Sequence, residues 1–166
     1  MSSAVDRFIQ VSEVDDAVEI AQPLFDRRYR LPVPEFPHHV AAMYTGADGT
    51  RALACYIHFT DCGDLILCGG ACTDNRVLRR MSETERDALR EVGGIFQHTL
   101  AWSQRHFGAR FAAVFGYTGD TLTKRVIDTL GWVPTPHPHL VVYWMQPVDE
   151  RKRRQMIAKA HSFGAF

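Results

Sequence analysis

The sequence predicts one α+β domain, a mixed β-sheet with helices packed on it. Three observations predict it. Short apolar runs fill residues 53–72, and apolar residues then recur at helical spacing through 82–107. Asp48-Gly49 and the segment Asp61 to Asp64 punctuate the short runs, which makes them an antiparallel meander. Beyond residue 107 an apolar strand, an amphipathic helix and a second apolar strand follow in turn. A chain of 166 residues that is 46% hydrophobic and 23% charged can bury a sizeable core without a disulfide or metal staple.

Each element has a local reason. Phe8 to Val11 is a short strand. Ser12, with Asp15 three residues on, reads as the N-cap of a helix whose apolar positions are Val14, Ala17, Val18 and Ala21, and Pro23 ends or kinks it. Pro32, Pro34 and Pro37 make 31–39 an extended loop. Val40 to Tyr44, Leu53 to Phe59 and Leu65 to Cys72 are the meander strands. Ser82 and Glu85 form a capping box, and a helical pattern follows to Phe107, interrupted at Gly93-Gly94. Phe111 to Tyr117 is a fully apolar strand. Asp120 caps a helix with Leu122, Val126, Ile127 and Leu130 inward, and Gly131 ends it. His139 to Met145 is the last strand, and 149–161 is a polar, basic helix. We divide the chain into a domain over 1–148 and a basic helix and tail over 149–166, packed on the domain or extending from it.

Charge and composition narrow the function classes. With 19 basic and 19 acidic side chains and 8 His, the formal net charge is zero, so a wholesale electrostatic nucleic-acid binder is excluded and nucleic acid is not an expected partner. No apolar run approaches the roughly 20 residues of a membrane span. Met1 to Asp6 shows neither a basic n-region nor an apolar h-region, so the expected location is the cytoplasm. Cys55, Cys62, Cys68 and Cys72 lack C-x-x-C spacing and sit mostly in apolar runs, which reads as free thiols rather than a zinc site. His137 and His139 flank Pro138 with no third ligand in view, so no metal is expected.

Two segments carry a family resemblance. Asp120, Thr123 and Gly131-Trp132 resemble the Asn-x-x-Ala/Ser helix and following Gly-Phe of the GNAT superfamily, the acyl-CoA-dependent N-acyltransferases. Arg90-Glu91-Val92-Gly93-Gly94-Ile95 is similar to that family's Arg/Gln-x-x-Gly-x-Gly/Ala turn, with Ile95 where a small residue is usual. The element order over residues 7–147 fits the family's sheet. The resemblance implies a central mixed sheet of about six to seven strands with helices on both faces and a C-terminal helix. It implies acetyl-CoA or another acyl-CoA as co-substrate and a small-molecule or peptide amine as acceptor; a homodimer stays open. It also implies that Ala71, Cys72 and Thr73 line the pantetheine arm, with Asp120 and Thr123 part of the cofactor-binding signature.

The pyrophosphate has two candidate places. Helix N-termini attract anions, and glycines let backbone approach phosphates. If the long helix breaks at Gly93-Gly94, those glycines and Arg90 hold the phosphates. If it runs unbroken from Ser82, the anion-binding end lies there, with Arg76, Arg79 and Arg80 nearby. The break is the favoured alternative.

Transfer to an amine needs a base and an acid for the leaving thiolate. The family's usual acid, a Tyr, falls at Ile127 here, and Tyr117 at the end of its strand is the nearest substitute by sequence. His58, between Ile57 and Phe59, is the candidate base. Two other functions remain: a binding or regulatory module of the same fold that has lost transfer chemistry, and an acyl-chain synthase using acyl carrier protein.

Overall fold

The computed structural model describes residues 3–166. After a 3-10 turn, Ala4–Arg7, the elements are β1 (Ile9–Val14), α1 (Val18–Arg28), β2 (His38–Thr45), β3 (Arg51–Asp61), β4 (Leu65–Thr73), α2 (Asn75–Arg80), α3 (Glu83–Glu91) and α4 (Ile95–Phe107). β5 (Ala113–Tyr117), α5 (Thr121–Thr129), β6 (Val133–Pro134), β7 (Leu140–Trp144) and α6 (Glu150–Ser162) complete the chain. The seven strands form one sheet in the order β1-β2-β3-β4-β5-β7-β6. β4 and β5 run parallel, whereas β1/β2, β5/β7 and β6/β7 are antiparallel, so the sheet is mixed as expected.

The first helix departs from its expected bounds. Ser12 is no cap; it lies in β1 opposite Ala41, inside a ladder running from Ile9↔Tyr44 to Val14↔His39. That continuous pairing outweighs a single local capping bond. α1 starts later, at Val18, whose N–H donates to the Asp16 carboxylate at 2.9 Å. Nor does Pro23 end it, since the helix continues to Arg28 with Leu24 and Phe25 buried beyond the proline. Burying each of those side chains contributes about 1.5–3 kcal/mol, enough to offset one lost helical bond. α2 was not expected from the sequence; Asp74 caps it, accepting from Arg76 N at 2.9 Å.

The chain divides into two compact units. The first comprises Met1–His58 and Ala71–Leu100. In it, Ala17, Ala21, Leu24 and Phe25 pack with Ala41, Leu53, Tyr56 and Cys72. Successive strand residues face opposite ways. Cys55, the neighbour of Tyr56 on β3, accepts a hydrogen bond from Thr73 Oγ1 at 3.9 Å. Tyr44, 3% exposed, donates its hydroxyl to Glu85 at 3.2 Å and ties β2 to α3.

The second unit comprises Phe59–Gly70 and Ala101–Phe166. Leu65, Leu67, Ala113, Phe115, Leu140 and Val142 form a face covered by Met156 and Ala160 of α6. Lys152 and Lys159 of the same helix both pair with Asp64. Trp132 lies behind Gly116, where an added Cβ would stand 3.2 Å from the indole. Among the described residues, no helix is long and apolar enough to cross a membrane.

Candidate functional site

The glycine pair breaks the long helical pattern. Gly93 and Gly94 have φ of +82° and +94°. Gly94 N donates to Leu89 O at 2.7 Å and Gly93 N to Arg90 O at 3.0 Å. This is the two-bond Schellman closure of α3, and glycine takes its left-handed φ without a Cβ penalty. α4 then starts at once, its first backbone bond running from His98 N to Gly94 O at 3.0 Å. The N–H groups of Ile95, Phe96 and Gln97 precede that bond and have no partner inside the helix. The favoured break is thus present, and the capping box at Ser82 serves α3 alone, with Glu85 N donating to Ser82 Oγ at 3.2 Å and Ser82 N to Glu85 at 2.7 Å.

The two glycines differ in their surroundings. A Cβ on Gly93 would meet the Gln97 side chain, 2.2 Å from its Cδ. A Cβ on Gly94 would meet nothing within 4 Å. Gly94 therefore presents bare backbone to open space beside a thirteen-residue helix's N-terminus. Ile95, where the family resemblance expects a small residue, is buried at 5% exposure and points into the core. Arg90 sits exposed in the last turn of α3 and pairs with Asp87 one turn earlier. Arg80 lies near Tyr44 and Asp48; burial and Glu85 raise the Tyr44 pKa against the Arg80 charge, and hydrogen bonds from Thr50 lower that of Asp48 with its support.

Along β4 the three expected pantetheine residues do not share a face. Ala71 is exposed and Thr73 half-buried, while Cys72 is buried in the α1 cluster. Gly70 and Ala71 are both exposed although β4 stands mid-sheet. Burial pushes the Cys72 thiol up to about 11, so it stays protonated at neutral pH. Cys55, fully enclosed, is pushed up to about 12 by the same cause.

His58 is 8% exposed, its ring stacked on Phe36 with centroids 3.9 Å apart. Burial, with His39 nearby, lowers its pKa to about 4, so the imidazole is neutral at pH 7. Beside it, the Tyr56 hydroxyl and His39 Nδ1 share a buried hydrogen bond of 2.6 Å. Burial lowers the His39 pKa and raises that of Tyr56, so both partners are uncharged. Sequence reasoning missed this pair, because residues seventeen apart give no spacing signal. It also missed the ion pair of Arg27 with Asp74.

In the second unit, the β4/β5 ladder runs from Leu65↔Ala113 to Cys68↔Gly116, the last pair in register. Tyr117 follows at the end of β5, 38% exposed, with the rings of His139 and Phe166 at 6.0 and 6.1 Å. Asp120 is taken up in capping α5, accepting from Thr123 N at 2.7 Å, and its hydrogen bonds to Thr123 hold its carboxyl below the usual range. Ile127 is buried. The His137 ring stacks on His161 at 3.6 Å. Among the described residues no group of three or more His, Cys, Asp or Glu could hold a metal ion.

No protein-family model matches the sequence, and no curated protein matches it. Solved structures do match the fold. The ribosomal-protein-S18-alanine N-acetyltransferase from Escherichia coli aligns with a TM-score of 0.55 at 11% identity, covering 86% of this chain and 97% of that one. YhhK from E. coli, bound to coenzyme A, aligns at 0.54 and 13%, covering 82% and 98%. The KacTA–DNA complex aligns at 0.54 and 12%, covering 91% and 99%. At these identities the likeness shows the fold, which is that of the GNAT acetyltransferases.

Proposed function

We propose that this chain is an acyl-CoA-dependent N-acyltransferase acting on an amine. The observation that carries the proposal is the Gly93-Gly94 turn: bare backbone at Gly94, followed directly by the N–H groups of Ile95, Phe96 and Gln97. A helix N-terminus with that opening suits a pyrophosphate. Ala71, exposed on β4 in the same unit as the glycine turn, leaves room for a pantetheine arm. Bound there, acyl-CoA supplies an acyl group activated as a thioester.

The chain's own residues favour direct transfer. Cys72 stays a thiol, so it is a poor nucleophile for an acyl-enzyme route. In direct transfer the amine nitrogen forms a bond to the thioester carbon, the C–S bond breaks, and the amine proton must leave. His58 is neutral and can accept a proton only from a strongly acidic donor, such as nitrogen already bonded to the acyl carbon. Tyr117 is the phenol assigned to protonating the departing thiolate. We place the protein in a reducing compartment, where its buried thiols persist.

A second reading is favoured by one observation, the buried Ile127 at the family's usual acid position. It makes the chain an acyl-CoA-binding module without transfer. Thiol release separates the two. The protein is mixed with acetyl-CoA and a panel of amines, amino-acid esters and short peptides, and free coenzyme A is titrated with a thiol reagent. Amine-dependent release supports the enzyme. Binding without release from any amine supports the module.

A further inference from the structure

The first unit holds a basic cavity whose lining includes neither Arg90 nor the Gly93-Gly94 turn. It measures about 250 Å³ and is lined by Arg27, Arg28, Arg76 and Arg79 with Thr73 and Asn75. α1 and α2 build it. Arg27 and Arg28 are the last turn of α1, and Arg76 and Arg79 stand three apart on α2, one above the other on a single face. The one acid among the lining residues is Asp74. Its carboxylate is engaged by Arg27 and by the N–H of Arg76. Arg28, Arg76 and Arg79 thus put three positive charges around one opening with no further acid in its wall. Positive charges gathered at one opening favour an anion, and a planar guanidinium fork matches a phosphate.

A second cavity of about 290 Å³ adjoins the first, sharing Leu24, Arg27 and Asp74 with it. Its walls are mainly apolar: Ile20, Leu24, Met43, Leu53 and Val77. The Arg27–Asp74 pair stands at the junction. One chamber is cationic and the other apolar, and both open on the same pair of helices.

We propose that this double cavity binds a small organic phosphate, its phosphate among Arg28, Arg76 and Arg79 and its apolar body over Ile20, Met43 and Leu53. Under the acyltransferase reading this ligand is the acceptor and also carries the amine that is acylated; the binding itself does not depend on that reading. The zero net charge of the chain favours a small molecule over a nucleic-acid backbone.

Calorimetry with hexyl phosphate, inorganic phosphate and hexanol tests it. Hexyl phosphate should bind about tenfold or more tightly than inorganic phosphate, because burying two methylenes already contributes that much. Hexanol should bind weakest of the three. The double substitution Arg76→Gln/Arg79→Gln, at exposed helix positions that glutamine tolerates, should weaken hexyl phosphate about a hundredfold while leaving the melting temperature unchanged or higher. Equal affinity for the two phosphates, or unchanged binding in the double variant, would overturn the proposal. Saturating coenzyme A should leave hexyl phosphate affinity intact. Displacement by coenzyme A would overturn the assignment to the acceptor, and displacement by a micromolar oligoribonucleotide would overturn the small-molecule assignment. If coenzyme A does not bind at all, the acyltransferase reading fails while the hexyl phosphate result still stands or falls by itself.

Discussion

The side chain of Gln97 lies across the α-carbon of Gly93, so close that a Cβ there would stand 2.2 Å from Gln97 Cδ. The contact links the last residue of one helix's closure to the first turn of the next. Two separate constraints therefore require glycine at 93: this contact and a φ of +82°. They can be told apart. Gly93→Ala should cost about 1–2 kcal/mol from the left-handed backbone. The Gln97 end is flexible and can swing away, so Gly93→Ala/Gln97→Ala should recover only a small part of the loss. Urea unfolding of the three proteins measures it.

Ser82 should matter for stability and not for ligand. Its capping box closes α3, so Ser82→Ala should destabilise by about 1 kcal/mol. Because α4 begins separately at Ile95, acetyl-CoA affinity should stay within about twofold of the parent protein. A large loss of affinity by titration would move the phosphate site to Ser82.

Acid should destabilise the fold before the carboxylates titrate. His58 has a folded-state pKa of about 4 against an ordinary 6.5, and burial is the main cause. Its folded pKa is depressed, so the unfolded chain takes up the proton first. Stability is full above about pH 6.5 and falls as pH drops towards 4, by about 2–3 kcal/mol for this group. His39, lowered by burial as well, adds in the same direction. Urea midpoints between pH 7.5 and 4.5 should show the slope, and His58→Gln should flatten it. A parent protein whose stability is level across that range would contradict the buried neutral imidazole.

How much of this was legible in the sequence depends on how local the cause was. The break at Gly93-Gly94, the capping box at Ser82 and the Asp120 cap each rest on neighbours within five residues, and each could be read from spacing alone. Ser12 misled because its local capping signal competes with a partner strand some thirty residues away, and Ala41 is invisible from Ser12. The basic cavity was illegible for the same reason. Arg27 and Arg28 lie nearly fifty residues from Arg76 and Arg79 in the sequence, and only the folding of α1 and α2 brings them to one opening. His58 was placed on the right strand, but its pKa depends on Phe36 and His39, which spacing could not supply.

Tyr117 should act on turnover rather than on binding. It is an exposed strand-end phenol, so Tyr117→Phe should leave the fold and the acetyl-CoA affinity unchanged. Loss of a general acid typically lowers kcat by about a hundredfold. The loss should shrink with acceptors that need less help in expelling the thiolate, namely the most nucleophilic amines. Unchanged kcat across the amine panel would remove Tyr117 from the chemistry.

The central claim is that Gly94 and the α4 N-terminus hold the phosphates of an acyl-CoA. Titrating acetyl-CoA into the parent protein, Gly94→Ala and Gly94→Asp measures it most directly. Both substitutions meet the same φ of +94°, which aspartate tolerates better than alanine, and only aspartate adds a negative charge where the pyrophosphate would lie. The account predicts binding by the parent, a modest loss in Gly94→Ala and a further loss of about tenfold or more in Gly94→Asp. Equal affinities in the two variants, or no binding by the parent at millimolar acetyl-CoA, would contradict it.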